Sequence, residues 1–285
     1  MTSTTIDVAP LSGALGAEIK GLDLARPIDA KTETLLRDAW TQHLVLVVRN
    51  QTDLSAEDQM RFCRAFGTLG DRARPKETRR EGADAPTGMM FVSNVKADGK
   101  FIGSLPEGEM QFHIDQCYTA SPAVGTCLYA IDVPNRGGDT MFGNLYMAWE
   151  ALPADVRAKL AGRKAVHFFD YGATTRDANA SAERDKLPHH AHPVGRVHPW
   201  SGRTALYVNR LMTDRIEGLP DGEGAPLLEM LFDQVEKPEF RYTHKWRVGD
   251  VLLWDNRCTV HARTDFDPRQ RRHLRRFTIQ GDQPV

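Results

Sequence analysis

The sequence predicts a mainly β fold, a sandwich or jelly roll with helical additions, and three observations predict it. Short strand-like segments recur along the chain: FHIDQCY (112–118), GTCLYAI (125–131), TALYVN (204–209), VLLWDN (251–256), CTVHA (258–262) and LRRFTIQ (274–280), each bounded by Gly, Pro, Asn or Asp. Two helical inserts, near 146–161 and 223–236, break that series. There is no repeat of solenoid period and no low-complexity tract to suggest another architecture. Many short strands with helices packed outside them is the pattern of two sheets closing on one core.

The amino-terminal third alternates element types. Residues 30–42 place Leu35, Leu36, Ala39 and Trp40 at helical spacing, and the apolar run Leu44 to Val48 reads as a strand. Ser55 with Asp58 three residues later resembles a capping box, opening a helix that carries Met60, Phe62 and Phe66 and closes at Gly67. Residues 70–89 are polar, charged and proline-bearing and read as a long loop, as does the stretch from Tyr171 to Pro193. Loops of that length are often lids, so mobile covers are expected near 70–110 and 171–193; a surface excursion explains the same composition. The length of 285 residues suits a single domain over 1–285.

Composition narrows the function classes. The chain is 41% hydrophobic and 26% charged with a net charge of −1, which offers no electrostatic reason to expect nucleic acid or an anionic membrane as partner. The longest fully apolar runs are far too short to cross a bilayer. The start, MTSTTIDVAP, has neither a basic nor an apolar signal region, and Cys63, Cys117, Cys127 and Cys258 form no CxxC pair. Reduced thiols and a cytoplasmic setting are the expectation.

Within FHIDQCY an extended chain projects His113 and Asp115 from one face and Ile114 from the other. An imidazole and a carboxylate converging on one spot are either half of a metal site or a hydrogen-bonded pair. Among the other histidines, His189, His190 and His192 lie in the polar, proline-broken KLPHHAHP, where solvation or local bonding is expected, and His167, His198, His244 and His273 have no acidic neighbour at ligand spacing. His261 differs, because it ends VLLWDNRCTVH, two apolar strands joined through Asp255 and Asn256. In RRHLRRFTI, alternation puts Arg272, Leu274, Arg276 and Thr278 on one face and Arg271, His273, Arg275 and Phe277 on the other. Arg272 and Arg276 then stand about 13 Å apart at ~3.3 Å per residue, and a guanidinium fork suits a carboxylate. A solvated basic edge accounts better for Arg271 and Arg275.

Taken in order, PLSGALGAEIKGLDL (10–24), FHID, NRGGDT (135–140), WDNRCTVH and RRHLRR make the chain resemble the taurine dioxygenase / 2,4-dichlorophenoxyacetate dioxygenase (TauD/TfdA) family of iron(II)- and 2-oxoglutarate-dependent oxygenases, over nearly its whole length. The resemblance implies a double-stranded β-helix, iron(II) held by His113, Asp115 and His261, and 2-oxoglutarate and O2 as co-substrates. It implies that Thr140 and Arg272 hold the far carboxylate of 2-oxoglutarate, and that Arg276 lies beside the substrate anion and the metal-proximal end of the co-substrate. Two imidazoles and one carboxylate on one face leave three positions of an iron open. Related halogenases have a small residue in place of the aspartate, so Asp115 favours hydroxylation, with release of succinate and CO2. Where the hydroxylated carbon bears an ether oxygen or a sulfonate, the product fragments and the net result is C–O or C–S cleavage.

A small anionic organic substrate is the expected partner, and homo-oligomers are frequent in the family. Taurine itself is disfavoured, because the family's taurine-contacting residues fall near Arg72 and Pro75 and its asparagine before the first histidine is Glu109 here. SNVKADG (93–99) is similar to the branch acting on aryloxyalkanoates and places Asn94 near the mouth, although a turn at Lys96–Gly99 explains the same letters. Substrate contacts are therefore expected from Arg276, Asn94, Glu109 and Arg72, with Phe112, Tyr118, Tyr207 and Asn209 as wall or core residues. A sulfonate or alkyl sulfate dioxygenase, a non-catalytic metal-binding sensor and a metal-free sugar- or partner-binding sandwich are the competing readings.

Overall fold

Two sheets carry the architecture in the computed structural model, which describes residues 6–71, 80, 85, 86, 88–178, 186–281, 283 and 284. Their strands are β1 (Asp7–Pro10), β2 (Ala17–Lys20), β3 (Val45–Val48), β4 (Met90–Ser93), β5 (Met110–His113), β6 (Gly125–Asp132), β7 (Thr140–Asn144), β8 (Arg241–His244), β9 (Val251–Asp255), β10 (Thr259–Arg263) and β11 (His273–Ile279). The larger sheet runs β1-β2-β3-β9-β6-β11-β4 and the smaller β8-β7-β10-β5. Every pairing in them is antiparallel except β2 with β3. This is the jelly roll expected from the strand pattern.

Both faces of the larger sheet are covered, so successive side chains of its central strands are apolar on either side. Val45, Val47, Leu252, Trp254 and Leu274 join Phe112, Phe142 and Val260 in the core between the sheets. Their neighbours Leu46, Val48, Val251, Leu253 and Phe277 pack outward against Leu36, Trp40, Phe62 and Phe66. Those outer residues come from the helices α1 (Ala30–His43) and α2 (Ala56–Arg64) and the segment after α2. Asp29 caps α1 by accepting from the Thr32 N–H, and Leu44, in the left-handed region at φ 65°, turns the chain into β3. Ser55 accepts from the Asp58 N–H, as the capping pattern anticipated, but α2 ends at Arg64, before Gly67.

Three expectations change on the structure. FHIDQCY is not one strand: β5 stops at His113, and Asp115 lies in the turn that follows, where Gln116 takes φ 57°. TALYVN is extended only over Thr204–Leu206. The stretch from Tyr171 to Pro193 is not all loop, since His189–Pro193 pairs antiparallel with Lys164–Phe168. His192 is buried there against His167 and Tyr207, because neutral imidazoles pack as rings, so letters that look polar fill a core. Between β4 and β5, within the 70–110 segment, lies a short hairpin of Lys96–Ala97 with Lys100–Phe101. Among the described residues no helix is long and apolar enough to cross a membrane.

Candidate active site

His113 and His261 meet because β5 and β10 pair with these two residues directly opposite, just before an irregularity between His261 and Arg263. The ring centroids are 4.0 Å apart and the rings are tilted by 47°. Asp115 completes the group from the turn after β5. Its Oδ1 lies 4.0 Å from His113 Nε2 and its Oδ2 3.8 Å from His261 Nε2. These separations are too long for hydrogen bonds, yet one ligand atom from each of the three buried residues falls within 4.8 Å of the others. The His113 Nδ1–H donates to the Gln111 carbonyl at 2.9 Å, which leaves the Nε2 lone pair facing the centre.

The carboxylate is fixed from the opposite sheet. Thr126 Oγ1 of β6 donates to Asp115 Oδ2 at 2.6 Å, and Arg276 Nη2 of β11 lies 3.0 Å from the same oxygen. Thr126 accepts from Asn256 Nδ2 at 3.0 Å, and Asn256 Oδ1 accepts from Trp254 Nε1 at 2.8 Å, so a chain of bonds runs from the core to the carboxylate. Burial disfavours charge on Asp115, but Arg276 and the two imidazoles outweigh it and hold the carboxyl below the usual range. Burial pushes both imidazoles down; the neighbouring His113 pushes His261 down further. The group at neutral pH is one carboxylate and two neutral imidazoles, the protonation state in which all three offer lone pairs.

A second polar locus lies two residues further along the β10–β7 ladder, where Thr140 pairs with Arg263. Thr140 opens β7 beside β10 and accepts from Trp246 Nε1 at 3.0 Å. Arg272 is 2% exposed, and its Nε donates to the Gly138 carbonyl at 3.1 Å. Among the described residues its Nη1 has no hydrogen-bond partner and no carboxylate lies within ion-pair distance of it. Burial, with Arg263 adding repulsion, pushes its guanidinium down to about 9. Gly138 at φ 66° is required here, because a Cβ would sit 3.0 Å from Pro134 Cγ and 3.1 Å from Arg272 Cδ. A buried cation with an N–H left over is costly unless an anion arrives. Arg276 Nε is likewise buried and unpartnered.

A cavity of ≈ 330 Å³ holds His113, Asp115 and Arg276 in its lining. Tyr118, Phe169 and Tyr171 also line it and form a cluster of three rings, with centroids 5.3, 6.0 and 5.7 Å apart. Met90, Met110 and Met212 supply further apolar wall, and Ser104, Leu105, Pro106 and Glu107 a rim of loop.

A profile of the taurine catabolism dioxygenase TauD, TfdA family matches residues 7–278. The chain belongs to the TauD/TfdA family. It is 32% identical over 97% of its length to the alpha-ketoglutarate-dependent 2,4-dichlorophenoxyacetate dioxygenase of Cupriavidus pinatubonensis, covering 98% of that protein. It is 32% identical over 99% of its length to pentalenolactone F synthase of Streptomyces avermitilis, covering 97% of it. The crystal structure of AAD-2 in complex with Mn(II) and N-oxalylglycine superposes at a TM-score of 0.80, with 28% identity over 98% of this chain and 99% of that one. As a TauD/TfdA protein the chain is a 2-oxoglutarate-dependent non-haem iron dioxygenase, using iron(II), 2-oxoglutarate and O2.

Within this TauD/TfdA scaffold His113, Asp115 and His261, the set the resemblance implies, lie together, with Arg276 on Asp115. Other expected contacts lie elsewhere. Asn94 does not line the cavity; its carboxamide donates to the Gln270 and Pro268 carbonyls and accepts from the Arg272 N–H, so it braces Arg272 from behind. Glu109 is exposed and outside the lining, where Glu107 stands instead, because the loop turns at Gly108. Arg72, with Pro75, lies outside the described residues. Tyr118 lines the cavity, whereas Phe112, Tyr207 and Asn209 are core. Arg275 is no solvated edge: β11 lies inside the sheet, and Arg275 donates to Gln59 Oε1 and to the Leu54 and Ser55 carbonyls. The residues that sequence reasoning missed, Phe169 and Met212 among them, carry no signal beyond being apolar.

Proposed function

We propose that this protein hydroxylates a small organic carboxylate of aryloxyalkanoate type, with His113, Asp115 and His261 holding the iron. The single observation that carries the reading is a buried His–Asp–His group with Arg276 on its carboxylate, in a chain whose Arg276 and Arg272 each keep an unpartnered buried N–H. The donor set fits iron(II), and the leftover N–H groups fit the carboxylates of a keto diacid and of a substrate. When bound, iron with 2-oxoglutarate and O2 supplies the oxidising power: the keto acid becomes succinate and CO2, and one oxygen atom enters a substrate C–H bond.

The chain's own residues do the rest. Thr140 and Arg272 hold the distal carboxylate of 2-oxoglutarate. Arg276 fixes Asp115 through Nη2 and offers Nε to an anionic group in the cavity. Tyr118, Phe169 and Tyr171 give an aryl ring a three-sided aromatic seat, and the methionines adapt to its substituents. The apolar wall excludes water, which strengthens every charge interaction inside. Hydroxylation next to an ether oxygen yields a product that fragments with C–O cleavage.

The test is substrate-stimulated succinate release over a panel of aryloxyalkanoates, alkyl sulfates and sulfonates. Aryloxyalkanoates should stimulate most, and Tyr118→Leu should raise their KM several-fold while leaving short alkyl sulfates unaffected. Stronger stimulation by sulfates or sulfonates would overturn the substrate class and leave the dioxygenase intact.

A further inference from the structure

The rim of the cavity is fastened to the strand that carries His261. Arg263, two residues further along β10, is 6% exposed. Its guanidinium donates to three backbone carbonyls of one loop: Nη1 to Leu105 at 2.6 Å, Nη2 to Glu107 at 2.7 Å and Nε to Gly108 at 2.9 Å. Among the described residues no carboxylate lies within ion-pair distance, so the three carbonyls are its direct partners, with the Asp265 carboxylate acting from further off. Leu105 and Gly108 both take left-handed backbone, at φ 52° and 77°, which turns the loop's carbonyls inward on the cation. Three acceptors spread over one loop suit a rigid planar fork and not the single nitrogen of a lysine.

That loop is the rim: Leu105 and Glu107 line the cavity together with His113, Asp115 and Arg276. On the other side, the Phe266 ring lies under both Arg263, at 5.7 Å, and Arg272, at 6.0 Å. Arg263 also sits opposite Thr140 across the β10–β7 ladder. The arginine that holds the rim therefore adjoins both residues assigned to 2-oxoglutarate.

We infer that Arg263 is a positioning residue that clasps the 104–108 rim over the centre and ties it to the co-substrate locus, so that 2-oxoglutarate is consumed in step with bound substrate. The coupling part rests on the dioxygenase reading and on Thr140 and Arg272 as the co-substrate's holders; the clasp itself does not.

Arg263→Lys and Arg263→Gln in the full chain test it, the lysine variant carrying the test if the glutamine variant does not fold. Backbone amide exchange over 103–109 in the metal-free protein should speed up about tenfold or more, the scale of losing charge-assisted hydrogen bonds, with β6 and β9 unchanged. In the iron-loaded enzyme the ratio of hydroxylated product to succinate should fall several-fold and the substrate KM should rise, while the 2-oxoglutarate KM stays put. A merely structural arginine would lower melting temperature and kcat and leave that ratio alone. Unchanged exchange at 103–109 overturns the clasp. Faster exchange with an unchanged ratio overturns the coupling. Absence of succinate formation by the unaltered protein would defeat the catalytic assignment and leave the exchange result standing.

Discussion

Among the described residues, two buried groups bring a histidine and an aspartate close to further ligand-type atoms, His113–Asp115–His261 and His198–Asp255–Cys258. They differ in what is left over. Asp255 is saturated: Arg257 donates to both its oxygens, at 2.9 and 2.6 Å, and His198 Nε2 lies 3.1 Å away. His198 Nδ1 accepts from the Trp200 and Ser201 N–H groups, and burial pushes the Cys258 thiol up, so it keeps its proton. At Asp115 the imidazole nitrogens stand 3.8 and 4.0 Å off, unbonded and beside a cavity. Proximity of ligand-type residues is common to both; only the Asp115 group keeps lone pairs free, and that separates a candidate metal centre from a structural ion pair.

Substitution should split the two groups cleanly. Asp115→Ala is expected to abolish succinate formation and iron binding while lowering metal-free stability by about 1.5–3 kcal/mol, the loss being limited because Arg276 borders the cavity and can hydrate. Asp255→Ala strands Arg257 in the interior and should cost about 3–5 kcal/mol in urea unfolding, with iron still bound by the folded fraction. Iron binding retained by the Asp115 variant would erase the distinction. Next in size, Arg272→Ala should raise the 2-oxoglutarate requirement about 10- to 150-fold, from the loss of roughly 1.5–3 kcal/mol of charged hydrogen bonding, read from initial rates.

Acid sharpens the contrast differently. Burial, with His190 and Arg196 adding repulsion against a bond to the Thr119 carbonyl, pushes His192 down to about 4. The unfolded chain takes up a proton at its ordinary 6.5 and the folded one does not, so stability should fall as pH drops from 6.5 towards 4. His192→Gln should flatten that slope in melting temperature against pH. The smallest effect is expected at Asn94. Asn94→Ala loosens only the backing of Arg272 and should raise the 2-oxoglutarate KM about 2- to 10-fold at unchanged kcat.

Part of the candidate centre is legible because it is local: His113 and Asp115 are two residues apart, and His261 is a polar residue on a strand that otherwise reads as apolar. Arg272, one of four arginines in RRHLRRFTI, is singled out by the family resemblance and not by its neighbours. Extension accounts for only part of the His113–Asp115 pair, since β5 ends at His113 and a turn brings Asp115 round. His198 and Asp255 are 57 residues apart, and nothing in either segment tells that β9 and the loop after Gly195–Val197 will meet. KLPHHAHP misled for a related reason: a histidine is polar by letter and aromatic when neutral and buried. Arg275 misled because alternation gives a face but not whether a strand lies at the margin of its sheet. The aromatic seat was illegible, as apolar residues that line a hollow look the same as those that fill a core.

The face-to-face placement of residues 113 and 261 across β5 and β10 has an evolutionary corollary. Side chains on a strand swap sides with every residue, so deleting or inserting one residue between Gly108 and His113 would swing an imidazole out of the barrel and disarm the enzyme at a stroke. The count of residues along these two strands is therefore closed to change.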